Sequence, residues 1–404
     1  MNSVPAQRRW WQDASPSAVL AGVVATVIAY AGPLVIIFQA AQGMPQALLE
    51  SWVWTISIGS GVLGVALSLW YRVPVVIAWS IPGSALLITL LPTTDFAHVV
   101  GAYLLASATT FAIGVSGVFD RVVRRLPTGI SAGMLAGILF GFAAKTFSVV
   151  AAQPAMVLAM FAAFFIGRRW FPRYAVVAVL AVGTLVALSA GLVHGEAVRF
   201  AFTTPTWTTP ALDGHAVINI ALPLMVVALT GQWVPGMAVL RNSGYAKPEA
   251  GPLIAWSSAG SALLAPFGCH GLNLAAVTAA ICTGAEAHED PSRRYVAGVV
   301  GGVVYVLFGC FAATLLSLFA MLPKELIAAL AGLAMFPTIG LSLSAAMADA
   351  SDRDAALVTF IVCASGMSLF GLGAAFWGLL FGLLAHALLQ WKLPRKNSGE
   401  TAIP

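Results

Sequence analysis

The sequence predicts an all-α polytopic membrane protein, on three observations. Of 404 residues, 60% are hydrophobic and 9% charged, whereas a soluble domain carries roughly 25% charged residues. Breakers and charges cut the chain into fourteen apolar segments, most of them near the ~20 residues that span a bilayer as a helix. The basic residues stand in small groups between these segments, which is the pattern of membrane topology; despite a formal net charge of +5 no basic patch suited to nucleic acid appears.

Taken in order, residues 1–15 are polar and run into a long apolar stretch without a small-residue cleavage site, so they are expected to be a cytoplasmic tail and not a signal peptide. The first set of spans is predicted at 16–41, 51–71, 74–91, 97–118, 126–148, 153–168 and 173–193, making residues 16–193 one seven-span repeat. Residues 194–212 are expected as an outer connecting loop. The second set, 213–239, 251–267, 268–284, 294–320, 323–348, 354–371 and 373–391, makes 213–391 a second repeat, and 392–404 a cytoplasmic tail. With both ends cytoplasmic, all but Lys145, Arg199 and Lys324 of the 20 Lys and Arg residues fall inside, a strong positive-inside bias. "LPTGISAGMLAGILF" (126–140) and "LPKELIAALAGLAMF" (322–336) both open the fifth span of a half. An odd number of spans per half makes the two repeats inverted.

Spans three and ten are broken. In "VPVVIAWSIPGSALLITLLP" (73–92) Val75 to Trp79 favour extended backbone. Pro82 and Gly83 interrupt, and Ser84 to Leu91 read as helix, Pro being tolerated where a helix opens. In "APFGCHGLNLAAVTAAICTG" (265–284) residues 265–271 read as irregular and 273–284 as helix, with Asn273 as N-cap. The two half-helices start near the midplane from opposite sides, so their N–H groups and partial positive charges converge on an anion-sized site.

The blocks "AWSIPGSALL" (78–87), "TGQWVPGMAVLRNSGY" (230–245), "PFGCHGLNLAAVTAAICTGAEAHEDPSRRY" (266–295) and "IIFQAAQ" (36–42) resemble the benzoate/proton symporter (BenE) family, along nearly the whole chain. That family is similar in fold to the nucleobase/ascorbate transporters. The resemblance implies a 7+7 inverted repeat with spans 1–4 and 8–11 as core and spans 5–7 and 12–14 as gate. It implies a substrate held between spans 3, 8 and 10, movement of core against gate, and a homodimer as the candidate assembly.

The expected function is therefore proton-coupled uptake of benzoate or a related aromatic carboxylate across the cell inner membrane. A nucleobase or other organic-anion permease of the same fold is the alternative. No Asp or Glu sits mid-span; nucleobase transporters of this fold place carboxylates in spans 8 and 10, and Gln232 stands in that neighbourhood here. Absence of buried negative charge suits an anionic substrate. The candidate binding residues are Ser80, Gly83, Ser84, Gln232, Gly268, His270, Gly271, Asn273 and Tyr30. His270 is the histidine nearest the midplane, either a proton carrier, since its ordinary pKa of ~6.5 suits exchange, or a neutral donor fixing the crossing. Asn273 and Gln232 are donors for a carboxylate or packing glue. Tyr30 either leans on the substrate ring or packs the core. Glu286 and His288 form a gate with Arg293 or Arg294, or a solvated loop. The four cysteines lie in apolar segments without CxxC spacing, so no metal, disulfide or cofactor is expected. No nucleophile–base or paired-carboxylate motif suggests an enzyme.

Overall fold

A computed structural model of the chain describes residues 10–31, 33–119, 121, 127–193, 200–285, 287–367, 369 and 374–390. Glu286, residues 194–199 of the connecting loop and the tail 391–404 lie outside the described residues. The first half runs α1 (Pro16–Ala31), α2 (Pro33–Ala40), α3 (Gln46–Tyr71), strand β1 (Ile77–Trp79), α4 (Ile81–Leu90), α5 (Phe96–Ser116), α6 (Thr128–Ser148), α7 (Pro154–Trp170) and α8 (Ala175–Ser189). A composite helix α9 follows: α-helical over Gly214–Ala216, Leu222–Ala228 and Val234–Asn242, with π turns at Val217–Ala221 and Leu229–Trp233. Then come α10 (Ala250–Leu264), β2 (Leu272–Leu274), α11 (Val277–Thr283), α12 (Tyr295–Cys310), α13 (Ala312–Ala320), α14 (Lys324–Ala346), α15 (Arg353–Ser365) and α16 (Ala374–Leu389).

Among the described residues seven helical stretches are long and apolar enough to cross a membrane, from Pro16–Ala40 to Lys324–Ala346. The chain is thus a largely helical, multi-pass membrane protein. The helices packed most closely fall into two groups. In one, α3 and α1 lie on α12, and α5 lies on α10; in the other, α6 packs on α14 and α15, α15 on α16, and α7 on α8.

Two expectations need correction. The helix of span ten does not extend over 273–284: it is limited to Val277–Thr283, about 10 Å at 1.5 Å rise, because Leu272, Asn273 and Leu274 are taken by β2. Asn273 is consequently not an N-cap. Span eleven, expected as one helix over 294–320, divides at Phe311, whose φ of −110° and ψ of 32° interrupt α12 and α13.

The described part of the connecting loop, 200–212, has no regular secondary structure and is hydrogen-bonded across the helix ends. Thr203 donates its N–H to the Cys310 carbonyl (2.8 Å) and accepts the Ala313 N–H on Oγ1 (2.7 Å). Thr206 N–H reaches Ser51 Oγ (2.9 Å), Thr208 N–H the Pro266 carbonyl (2.8 Å) and Ala211 N–H the Ala97 carbonyl (3.0 Å). The ends of five helices, α12, α13, α3, α10 and α5, are thereby pinned by one stretch of chain. Thr203 is 2% exposed. Thr203→Val keeps its shape but strands the Ala313 N–H, and is expected to destabilise by about 1–3 kcal/mol, read as a lower melting temperature of the detergent-purified protein.

At the opposite, arginine-bearing end, the segment before α1 is docked. Asp13 is 8% exposed; its carboxylate accepts the Tyr295 hydroxyl (2.8 Å) and lies 3.5 Å from Arg72 and 3.9 Å from Arg293. Arg294 donates to the carbonyls of Thr283 (2.9 Å), His288 (2.6 Å) and Glu289 (3.2 Å), closing the C-terminus of α11. Hydrogen bonds from Ser292 hold the Asp290 carboxyl below the usual carboxylate range. Of the expected gate, His288 accepts the Asp290 N–H on Nδ1 (2.9 Å), and Arg293 pairs with Asp290 at 3.5 Å and with Asp13.

Candidate functional site

The two broken spans meet as a pair of antiparallel strands. Ile77 faces Leu274, Ala78 faces Asn273 and Trp79 faces Leu272, and the Ala275 N–H continues the ladder to the Val76 carbonyl at 2.9 Å. Short strands inside a membrane are tolerated because each supplies the other's backbone partners within protein. The turn into β2 depends on glycine: Gly268 has φ +106° and Gly271 φ +137°, conformations that only glycine adopts readily. A Cβ on Gly268 would also stand 3.2 Å from the Trp52 Cα.

The strands leave the two half-helix starts at opposite ends of the pair, α4 after Trp79 and α11 after Ala275, and the starts differ. Ser80 is the N-cap of α4: its Oγ accepts the Gly83 N–H (3.0 Å) and its carbonyl the Ser84 N–H (2.8 Å), while Pro82 has no N–H to offer. The α4 tip is satisfied internally and presents its dipole and the Ser84 hydroxyl. No side chain caps α11 at Ala276.

His270 joins them. Its Nδ1 accepts the indole N–H of Trp52 on α3 (3.0 Å), so the neutral ring carries its proton on Nε2. Nε2 lies 2.9 Å from Ser84 Oγ and 3.2 Å from the Ser80 carbonyl, to which Ser84 Oγ itself donates at 2.9 Å. Tyr103 on α5 flanks the imidazole with ring centroids 6.2 Å apart. The break in span ten is thus tied to the tip of α4 through one imidazole with both nitrogens engaged.

Helix α9 closes the third side. A Cβ on Gly231 would lie 4.0 Å from Pro82 Cγ, and one on Gly236 2.9 Å from the Leu274 carbonyl, so the turn between them passes both the α4 tip and β2. Gln232 sits half-buried on the second π turn, the sort of helix irregularity that recurs at functional sites. Gly83 is set by contact, since a Cβ there would meet Leu224 Cδ2 on α9 at 2.9 Å.

Three buried N–H donors on these elements have no partner among the described residues: Trp79 Nε1 on β1, Asn273 Nδ2 on β2 and Trp233 Nε1 on α9. All are donors; Asn273 shares a face of the pair with Ala78, whereas Trp79 lies on the other face, packed on Tyr30. No Asp or Glu occurs in residues 77–90, 222–236 or 265–283. Tyr30 lies elsewhere in the core. Its hydroxyl donates to Ser57 Oγ (2.5 Å) and its ring packs on Trp79 (5.2 Å), Tyr305 (5.5 Å) and Phe308 (4.8 Å), which supports the strand from behind. Trp52, Trp79, Tyr103 and Trp233 were not singled out in the sequence. The available signal was that an indole buried in a span needs an acceptor, and His270 is the polar ring nearest the midplane.

The family model for the benzoate membrane transport protein matches residues 12–388. The chain belongs to the benzoate membrane transport protein family. It is 43% identical to the benzoate membrane transport protein of Acinetobacter baylyi, over 94% of this chain and 96% of that one. It is 38% identical to the inner membrane protein YdcO of Escherichia coli K12, over 93% and 96% respectively. Among solved structures it is similar in fold to SLC26A9 (TM-score 0.62, 14% identity, 94% of this chain and 66% of that one). It is also similar to the transmembrane domain of a cyanobacterial bicarbonate transporter, BicA (TM-score 0.60, 14% identity, 91% and 97%). Members of the benzoate membrane transport family are transporters and not enzymes, and the crossing is read below as a transport site.

Proposed function

We propose that this protein imports benzoate or a closely related aromatic carboxylate together with protons across the inner membrane. In this reading both termini are cytoplasmic, the fourteen spans form a 7+7 inverted repeat, the core moves against the gate in alternating access, and the working unit is a homodimer. The antiparallel pairing of two strand-plus-helix units, one from each half, is what an inverted repeat would produce.

The observation that carries the substrate class is the unpartnered Asn273 amide beside a crossing without buried acid. A carboxylate is acceptor-only, with about four lone-pair sites, and it would meet that donor with no carboxylate to repel it. Asn273 and Gln232 are assigned to the carboxylate, the Ser80 cap, Gly83 and the His270-bonded Ser84 to shaping the α4 tip, and Gly268 and Gly271 to placing β2. The aromatic ring would pack on apolar residues of α1 and α9. Tyr30 is assigned to core packing and His270 to a neutral bridge.

The test is uptake of labelled benzoate by cells expressing the chain, with and without a protonophore. Uptake should saturate with benzoate and collapse when the proton gradient is removed. Uptake indifferent to the gradient removes the symport, and competition by uracil but not by benzoate replaces the substrate.

A further inference from the structure

Away from the crossing, behind strand β1, the core contains a small cavity of about 10 Å³ between α1, α3, α11 and α12. Its lining includes Thr26, Ser60, Gly64, Ile77, Cys282 and Tyr305. Ser60 is fully buried and Tyr305 is 2% exposed, and neither Ser60 Oγ nor Tyr305 OH has a hydrogen-bond partner among the described residues. Thr26 Oγ1 shares its single proton between the carbonyls of Gly22 and Gly301, both at 3.1 Å, and keeps lone pairs free. Residues carrying two unmet hydroxyls and a third hydroxyl acceptor therefore line one space of water size.

We propose that this cavity binds a single water molecule that bridges Ser60 of α3 to Tyr305 of α12 against the back of β1. Empty protein cavities are lined by apolar groups, whereas a water needs about one probe sphere of room and two to four polar partners. This site supplies both. A metal cation is disfavoured by the same lining, since hard cations take about six oxygen ligands with carboxylates among them, and no charged side chain lines the cavity. Because Val75, Val76 and Ile77 form one wall, the water would hold the strand whose next residues cap α4.

Two measurements test this on the full-length protein in detergent or nanodiscs. Density from an experimental structure at about 2 Å should show one ordered peak within hydrogen-bond distance of both hydroxyls. An empty cavity, or a peak ringed by six oxygens, overturns the proposal. Melting temperatures of Tyr305→Phe, Ser60→Ala and the double variant give the second reading. With a bridging water each single change should lower the melting temperature by a few degrees, and the double should lower it little further. In a dry cavity, removing an unsatisfied hydroxyl should raise the melting temperature, additively for the two sites, and that result also overturns it. Should either variant fail to fold, the density of the unaltered protein decides.

Discussion

Gly302→Ala is expected to destabilise the protein by about 3 kcal/mol, the upper end of overpacking costs, although it adds a single methyl group. The reason is reciprocal contact between α3 and α12. A Cβ on Gly302 would stand 2.7 Å from the Gly61 carbonyl oxygen and 2.7 Å from Val65 Cγ2; one on Gly61 would stand 2.5 Å from the Gly302 carbonyl oxygen and 2.9 Å from the Val306 N. Backbone atoms cannot rotate aside as a side-chain tip can, so the helices must separate along their length. Lipid tails are as apolar as leucine, and helix association in a membrane rests on close packing through small residues; separation loses that term with nothing to replace it. The same pair of helices encloses the water-sized cavity, so its walls would part as well. Gly340→Ala on α14, where an added Cβ meets nothing within 4 Å, is the control and should stay within about 0.5 kcal/mol of the unaltered protein. The check is the melting temperature in detergent together with monodispersity after brief heating. Equal behaviour of the two variants would mean that the α3–α12 contact does not hold the fold.

How far these features were legible in the sequence follows from the range of the forces involved. Long apolar stretches announce themselves by composition, so α5, α6 and α14 fall within two residues of the expected segments, while α3 begins five residues earlier, at Gln46. Pro82 and Gly83 marked the opening of α4 for a local reason, a missing N–H and a missing Cβ. Asn273 was misread because its local pattern does suit a cap; what overrides it is pairing with Ala78, almost two hundred positions away in the chain, and a single sequence carries no record of such pairing. The π turns in α9 and the break at Phe311 are likewise products of tertiary packing. Among the residues that meet at the crossing, His270 and Ser84 stand out in the sequence because polar groups in a span are expensive and so conspicuous. Trp52 does not, because an indole in a span looks like any other apolar residue until its N–H is traced to an acceptor.

That trace leads to the second large expectation: His270→Ala, and nearly as strongly Trp52→Phe, should lower benzoate uptake by roughly 100-fold, the order of loss that a displacement of ~1 Å in a site can bring. His270→Ala removes the link between the break in span ten and the α4 tip, and leaves the Trp52 N–H buried without an acceptor. Trp52→Phe keeps an aromatic ring of similar placement but releases Nδ1. The imidazole is then free to carry its proton there, and Nε2 becomes an acceptor facing the Ser80 carbonyl at 3.2 Å, where two lone pairs repel. Nitrogen-15 shifts of labelled histidine should accordingly report an Nε2–H ring in the unaltered protein and a mixture of tautomers in Trp52→Phe. Exchange of labelled for unlabelled benzoate, with no proton gradient, separates the two roles open to this residue. If His270 is the neutral bridge, His270→Gln should lose exchange together with uptake, because the site itself is disordered. If it carries the coupled proton, His270→Gln should lose uphill uptake and keep exchange, and that outcome would reassign His270 from positioning the two half-helices to moving the proton.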